Sequence, residues 1–133
     1  MKNKKDYKVV VIGCGVVGLS VSHGLALKNM DSVLLIDKEE SFGRGISSRS
    51  SEVIHSGIYY PNGSLKSKYC ISGRELLYEY CKKYSIWNKK CGKIIISQDN
   101  NDEEIRSLFE NGKEKLIPNL KLLKKSELLK IEP

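Results

Sequence analysis

Three glycines, Gly13, Gly15 and Gly18, fall at the spacing G-x-G-x-x-G, and an acid, Asp37, follows about twenty residues after the last of them. These residue types at these intervals suit the binding of an adenine dinucleotide. The first glycine permits a tight turn, the second lets backbone approach a diphosphate, and the third lets a helix lie close on a strand. The acid is placed to accept hydrogen bonds from an adenosine ribose. This chemistry does not separate FAD from NAD, because both cofactors use the same cradle.

The cradle needs particular elements around it, and the flanking sequence supplies them. Residues 8–12, KVVVI, form an uninterrupted apolar, β-branched run, which predicts a strand buried on both faces of a parallel sheet. A helix is expected over residues 16–28, then a turn at Asn29, Met30 and Asp31, then a second strand over 32–36 ending at Asp37. The start of that first helix presents amides with no partner of their own and a partial positive charge, which together stabilise an anion.

Residues 38–51, KEESFGRGISSRSS, lose this periodicity and combine Gly43 and Gly45 with hydroxyls and the cations Lys38, Arg44 and Arg49. Such a stretch is either a solvated polar loop or, beside a dinucleotide, a source of groups for phosphate oxygens. In EVIHSGIYY, residues 52–60, His55 stands in an apolar and aromatic run. It can be read as a hydrogen-bonded core residue or as a catalytic one.

Further along, Pro61-Asn62-Gly63 signals a turn, and Ser64 can cap the helix that follows. In that helix Leu65, Tyr69, Leu76 and Tyr80, with Leu77, Cys81 and Tyr84 beside them, predict a core stripe. Lys66, Lys68, Arg74, Glu79, Lys82 and Lys83 are expected to face water. Ile94 to Ile96 predicts a strand, and Asn101 or Asp102 begins another helix with an apolar edge of Ile105, Leu108 and Phe109. Lys113 and Lys115 suit that helix's negative pole. Residues 120–123 suggest a short strand, and Ser126 a further helical turn.

The chain has 133 residues, which is ample for one small domain but short for a complete dinucleotide-dependent enzyme. Lys and Arg outnumber Asp and Glu by 23 to 16. Because the excess is scattered lysine without aromatic interleaving, it reads as a solvated surface and not as a nucleic-acid site. The absence of a signal-peptide pattern or a transmembrane-length apolar run places the expected protein in the cytoplasm, with peripheral membrane association left open. The four cysteines form no C-x-x-C pair and no zinc spacing, so reduced thiols and no metal site are expected. Cys14 lies in the phosphate loop, and Cys70, Cys81 and Cys91 are read as packing groups.

Two further stretches make the pattern more specific: SSRSSEVIHSGIYYPNGSLKSKYCISGRELLYEYC, residues 47–81, and CGKIIIS, residues 91–97. With the glycine motif they make nearly the whole chain resemble the N-terminal third of FAD-dependent oxidoreductases of the D-amino-acid-oxidase superfamily, in particular the L-2-hydroxyglutarate dehydrogenase (oxidase) group. The resemblance implies an α/β chain: the N-terminal part of a Rossmann-like FAD-binding domain over residues 1–90, and the start of a strand-rich substrate domain over 91–133. It also implies that the later substrate-binding sheet and a C-terminal glycine-containing segment lie outside this chain, which would make it the N-terminal part of a longer enzyme. On that expectation the chain alone has no turnover and holds FAD weakly or not at all.

Carried over position by position, the resemblance implies FAD as cofactor. Gly13, Gly15 and Gly18, with the backbone of Val16 and Val17, would hold the diphosphate, and Asp37 with Lys38 would meet the ribose. Ser47, Ser48 and Ser51, with Arg49 nearby, would approach the diphosphate and flavin, and His55 would stand near the flavin ring as the catalytic candidate. Ser47 replaces a common Thr, Ser50 a usual Asn and Asp37 a common Glu, so one amide is lost while the hydroxyl and carboxylate functions remain. The implied reaction oxidises a 2-hydroxy acid such as L-2-hydroxyglutarate to the 2-oxo acid, with electrons passing on to quinone, another carrier or oxygen. Amine, amino-acid or glycerol 3-phosphate oxidation, an NAD-dependent dehydrogenase and a non-catalytic dinucleotide-binding module are the competing readings.

Overall fold

The computed structural model of the chain describes residues 6–97 and 102–133. These pack as two compact units, Met1–Val53 and Ile54–Pro133, so the division falls inside the stretch that the sequence assigns to one domain.

The first unit is a β-α-β arrangement. Strand β1 (Val9–Ile12) leads into helix α1 (Val16–Leu27) and then strand β2 (Val33–Ile36). The strands pair in parallel, with Val9 opposite Val33 and Ile12 opposite Ile36. Lys8 N–H donates to Ser32 O at 2.9 Å and Gly13 N–H to Ile36 O at 2.7 Å, extending the ladder at either end. Helix α1 packs on both strands. Burial on both strand faces is not observed: Val9 and Val11 are half-buried, whereas Val10 is 50% and Ile12 82% exposed. A two-stranded sheet with one helix covers a single face, and side chains alternate between faces with period 2.

Helix α1 stops where the sequence places a turn, and for an identifiable reason. Asn29 adopts φ +58°, Met30 N–H donates to Leu25 O at 3.1 Å, and Asn29 N–H donates to Ala26 O at 2.9 Å. This paired arrangement satisfies the terminal carbonyls and reverses the chain into β2.

The second unit contains helix α2 (Leu65–Lys83), helix α3 (Asp102–Glu114) and the single-turn helix α4 (Lys125–Leu128). Ser64 caps α2 by accepting from Ser67 N–H at 3.1 Å. The acids Asp102, Glu103 and Glu104 occupy the first turn of α3, next to its positive pole; Asn101, the other candidate for its start, lies outside the described residues. Helices α2 and α3 end as α1 does, with Ser85 at φ +53° and Leu116 at φ +51° as the left-handed residues. Leu116 is 84% exposed, so its side chain gains little from packing while its backbone carries the strain. Leu116→Gly is therefore expected to raise stability by about 1 kcal/mol, measured as a shift in the urea midpoint.

Several expectations for this unit change. The apolar stripe of α2 is not a core among the described residues: Leu65, Tyr69 and Leu76 are 64–69% exposed, and of the stripe only Cys81 is buried. Ile58 is the other buried apolar side chain, and no described element covers the stripe. Residues 94–96 and 120–123 are not strands, because a strand requires a ladder partner and none of the described residues provides one. Among its described residues, the segment read as strand-rich is thus helical where it has regular structure.

The side chain of Arg74 is only 10% exposed, with Nη2 2.7 Å from Glu75 Oε1, instead of facing water. Lys66 and Lys83 lie over tyrosine rings, at 4.5 Å from the Tyr60 centroid and 5.1 Å from that of Tyr84. Cys91 is exposed, so it is not a packing group, while all four cysteines are free thiols.

Candidate functional site

The glycine turn joins β1 to α1, and each glycine meets a different physical demand. Gly13 has φ +108°, a conformation that side chains other than glycine's rarely adopt, and this turn aims the chain into the helix. A Cβ at Gly18 would lie 1.8 Å from the Gly13 carbonyl oxygen and 3.5 Å from Val11 Cγ1. The helix can therefore rest on the strand end only without a side chain there. A Cβ at Gly15 would lie 2.9 Å from Ser47 Oγ.

Gly15 is the N-cap of α1 and has no side chain with which to cap it. That task falls to Ser47, in the 3-10 turn Ser47–Arg49, whose Oγ accepts from Val16 N–H at 3.0 Å. The first amide of α1 is thus already directed at an oxygen acceptor. The neighbouring amides of Val17 and Gly18 fall in the same first turn, where an α-helix has no internal acceptor to offer. N–H donors at a helix start, beside a glycine that keeps side-chain bulk away, are what a phosphate cradle requires, and the Ser47 oxygen on Val16 shows that the first of them takes an oxygen acceptor, so these residues fit a dinucleotide diphosphate.

Ser47→Ala is expected to lower stability by about 0.5–1 kcal/mol through loss of this cap, measured by denaturant unfolding. It should also make Gly15→Ala less damaging in the double variant than in the single one, because the 2.9 Å approach disappears.

Asp37, at the end of β2, comes back to the same turn. Its Oδ2 accepts from Cys14 N–H at 2.5 Å and its Oδ1 from Glu39 N–H at 2.9 Å. Hydrogen bonding from the Cys14 amide, followed by that from the Glu39 amide, holds this carboxyl below the usual carboxylate range. It is therefore ionised at neutral pH and, with roughly four acceptor sites, keeps capacity for a ribose hydroxyl. The loop is tied to the turn from a second direction, since Gly43 N–H donates to Cys14 O at 2.8 Å.

The structure thus brings Gly13, Gly15, Gly18, Val16, Ser47 and Asp37 to one end of the β-α-β unit, beside Val17, which is 73% exposed. The other residues singled out in the sequence are placed differently. Lys38 is exposed and lies 3.7 Å from Glu39. Ser48 donates its hydroxyl to Gly45 O at 2.8 Å, and Arg49 and Ser51 are exposed. His55 belongs to the second unit, with an exposed side chain and a carbonyl that accepts from Cys70 Sγ at 3.3 Å.

Sequence reasoning did not anticipate the part played by the Cys14 amide. Nor did it single out Asn111, and it placed Lys115 only at the negative pole of α3, whereas both hold the Ile58 carbonyl of the second unit. A glycine at a helix N-cap does signal that an acceptor must come from elsewhere in the chain, although not from which residue.

A parallel β-α-β unit with a glycine turn, an acid at the end of its second strand and an amide-lined helix start defines the opening of a dinucleotide-binding fold. Residues 8–133 match the family described as FAD dependent oxidoreductase, and the chain belongs to that family. It is 44% identical to the mitochondrial L-2-hydroxyglutarate dehydrogenase of Arabidopsis thaliana, over 98% of the chain and 27% of that relative. For the enzymes of the same name from Dictyostelium discoideum and Homo sapiens, identity is 39% and 36%, over 98% and 96% of the chain and 30% and 28% of the relatives. The chain therefore spans less than a third of the length of the relatives it matches. Their names place those proteins in mitochondria, which lends the cytoplasmic expectation no support. Among the described residues no helix is long and apolar enough to cross a membrane.

Proposed function

We propose that this chain supplies the diphosphate and ribose cradle of an FAD-dependent oxidoreductase that oxidises L-2-hydroxyglutarate, or a closely similar 2-hydroxy acid, to the 2-oxo acid. The observation that carries the reading is 44% identity to an L-2-hydroxyglutarate dehydrogenase over almost the whole chain. The cradle geometry independently supports the dinucleotide part of it, because the glycine turn and the helix start suit a diphosphate.

In this reading the amides of Val17 and Gly18, with that of Val16 once it is released from Ser47 Oγ, would hydrogen-bond the diphosphate, with Gly13 and Gly15 leaving room for it. Asp37 accepts from the adenosine ribose, and Lys38 stands beside it. Ser47, Ser48 and Ser51 offer hydroxyls toward the diphosphate and flavin side, and Arg49 adds positive charge. FAD, when bound, supplies the two-electron acceptor that takes the substrate's α-hydride. His55 would take the substrate's hydroxyl proton as the α-carbon gives up its single hydrogen as hydride, so that the C–OH becomes a carbonyl. Electrons leave the enzyme to a quinone, another carrier or oxygen. Residues 1–90 belong to the FAD-binding domain, and 91–133 open the substrate domain.

The test uses the complete reading frame that contains this chain. The purified protein should be yellow, carry about one flavin per chain, and be bleached anaerobically by L-2-hydroxyglutarate but not by glycine, sarcosine or glycerol 3-phosphate. A colourless protein indifferent to added FAD would refute the cofactor assignment, and bleaching by an amine alone would refute the substrate class.

A further inference from the structure

The backbone of residues 55–60 is held from two sides within the second unit. On the α2 side, Cys70 Sγ donates to His55 O at 3.3 Å, and Gly57, at φ +87°, lies so close that an added Cβ would stand 3.4 Å from Ile71 Cγ1. On the α3 side, Asn111 Nδ2 donates to Ile58 O at 2.5 Å. Lys115 Nζ donates to the same carbonyl at 3.4 Å and makes a short hydrogen bond to Tyr60 O. Asn62 is tied to Glu114 just beyond. Ile58 is 7% exposed and Lys115 only 6%, whereas the His55 side chain is exposed.

Burying an ammonium against backbone carbonyls is a costly way to hold a loop, since the charge loses its hydration. What it achieves here is directional. The carbonyls of Ile58 and Tyr60 are pulled toward the C-terminal end of α3, and the segment between them has little freedom to twist. We propose that Lys115, assisted by Asn111, is a positioning residue: it anchors residues 58–60 from behind and so fixes where His55 is presented to the substrate. This inference rests on the reading of His55 given under Proposed function.

The experiment compares Lys115→Met, Lys115→Gln and Asn111→Ala in the complete flavin-loaded protein. Four quantities are followed: flavin content, the rate constant for anaerobic flavin reduction at saturating L-2-hydroxyglutarate, the substrate concentration for half-saturation, and amide exchange of residues 57–60 in the flavin-free protein. Lys115→Met removes the donor and keeps the length of the side chain. It should retain its flavin, reduce it about 10- to 100-fold more slowly, and change the substrate concentration for half-saturation by less than about threefold, because a displacement near 1 Å is enough for such a rate loss. Amide exchange of residues 57–60 should accelerate in the same variant. Lys115→Gln, which can still donate, should recover most of the rate.

An unchanged reduction rate in flavin-loaded Lys115→Met would overturn the proposal. So would a loss that merely follows flavin content and is not recovered by Gln. Should Lys115→Met fail to fold, Asn111→Ala carries the same expectation at smaller size, and an unaltered rate in it is equally fatal. A wild-type protein without flavin would instead sink the functional reading, and amide exchange would then decide the clamp by itself.

Discussion

Alanine at position 18 is expected to destabilise the protein by about 3 kcal/mol or more and to eject the proposed flavin, an effect at the upper end of what one methyl group does. The added Cβ would stand 1.8 Å from the Gly13 carbonyl oxygen and 3.0 Å from its carbon, both backbone atoms in a turn already committed to φ +108°. Relief would require α1 to lift from the end of β1 by more than an ångström. That movement would separate the first-turn amides from Ser47 and from any diphosphate. Gly24, on the same helix, is the control: a Cβ there meets nothing within 4 Å. Gly24→Ala should therefore raise stability by about 0.5–1 kcal/mol, as alanine does in an unobstructed helix. Denaturant midpoints and retained flavin absorbance measure both variants. Equal effects at the two positions would remove close helix–strand packing as the reason for Gly18.

Asp37→Ala is expected to weaken FAD binding on the order of tenfold or more, because it removes the proposed ribose acceptor together with the acceptor for the Cys14 and Glu39 amides. Asp37→Asn retains one oxygen and should fall between wild type and alanine. The two substitutions also separate by pH. The Asp37 carboxyl is held below its ordinary value of 3.8 in the folded chain, with the Cys14 amide as the leading cause. The stabilisation that this provides is complete above the ordinary value and is lost as pH falls through the lower, folded one. Wild type should therefore lose stability across that acidic window, whereas Asp37→Asn should lose this component of the pH dependence. Unfolding midpoints measured as a function of pH test the sign, and a steeper acid response in the Asn variant would contradict it.

The β-α-β unit was readable because its signals are local. The run VVVI, the glycine spacing, the turn at Asn29 and the apolar run into Asp37 each describe a few neighbouring residues, and strand and helix follow from them. The Ser64 cap and the acidic start of α3 were legible for the same reason. The apolar stripe of α2 misled: helical periodicity identifies an apolar face, but burial depends on something lying against it, and no described element does. Ile94 to Ile96 misled in the same way, since strand propensity makes no strand where none of the described residues offers a ladder partner.

The order of residues alone carried the expectation of a dinucleotide, through Gly13, Gly15, Gly18 and Asp37, and through the 47–81 stretch it pointed to the family to which the chain belongs. Only the tertiary structure decided which partners those residues take: Ser47 capping Val16 across 31 positions, Asp37 reaching the Cys14 amide across 23, and Lys115 reaching Ile58 across 57. Propensity and spacing act over one or two turns of chain. Pairing between distant groups depends on how the chain folds back, and a hydroxyl, a carboxylate or a lysine does not reveal in sequence which amide or carbonyl it will face.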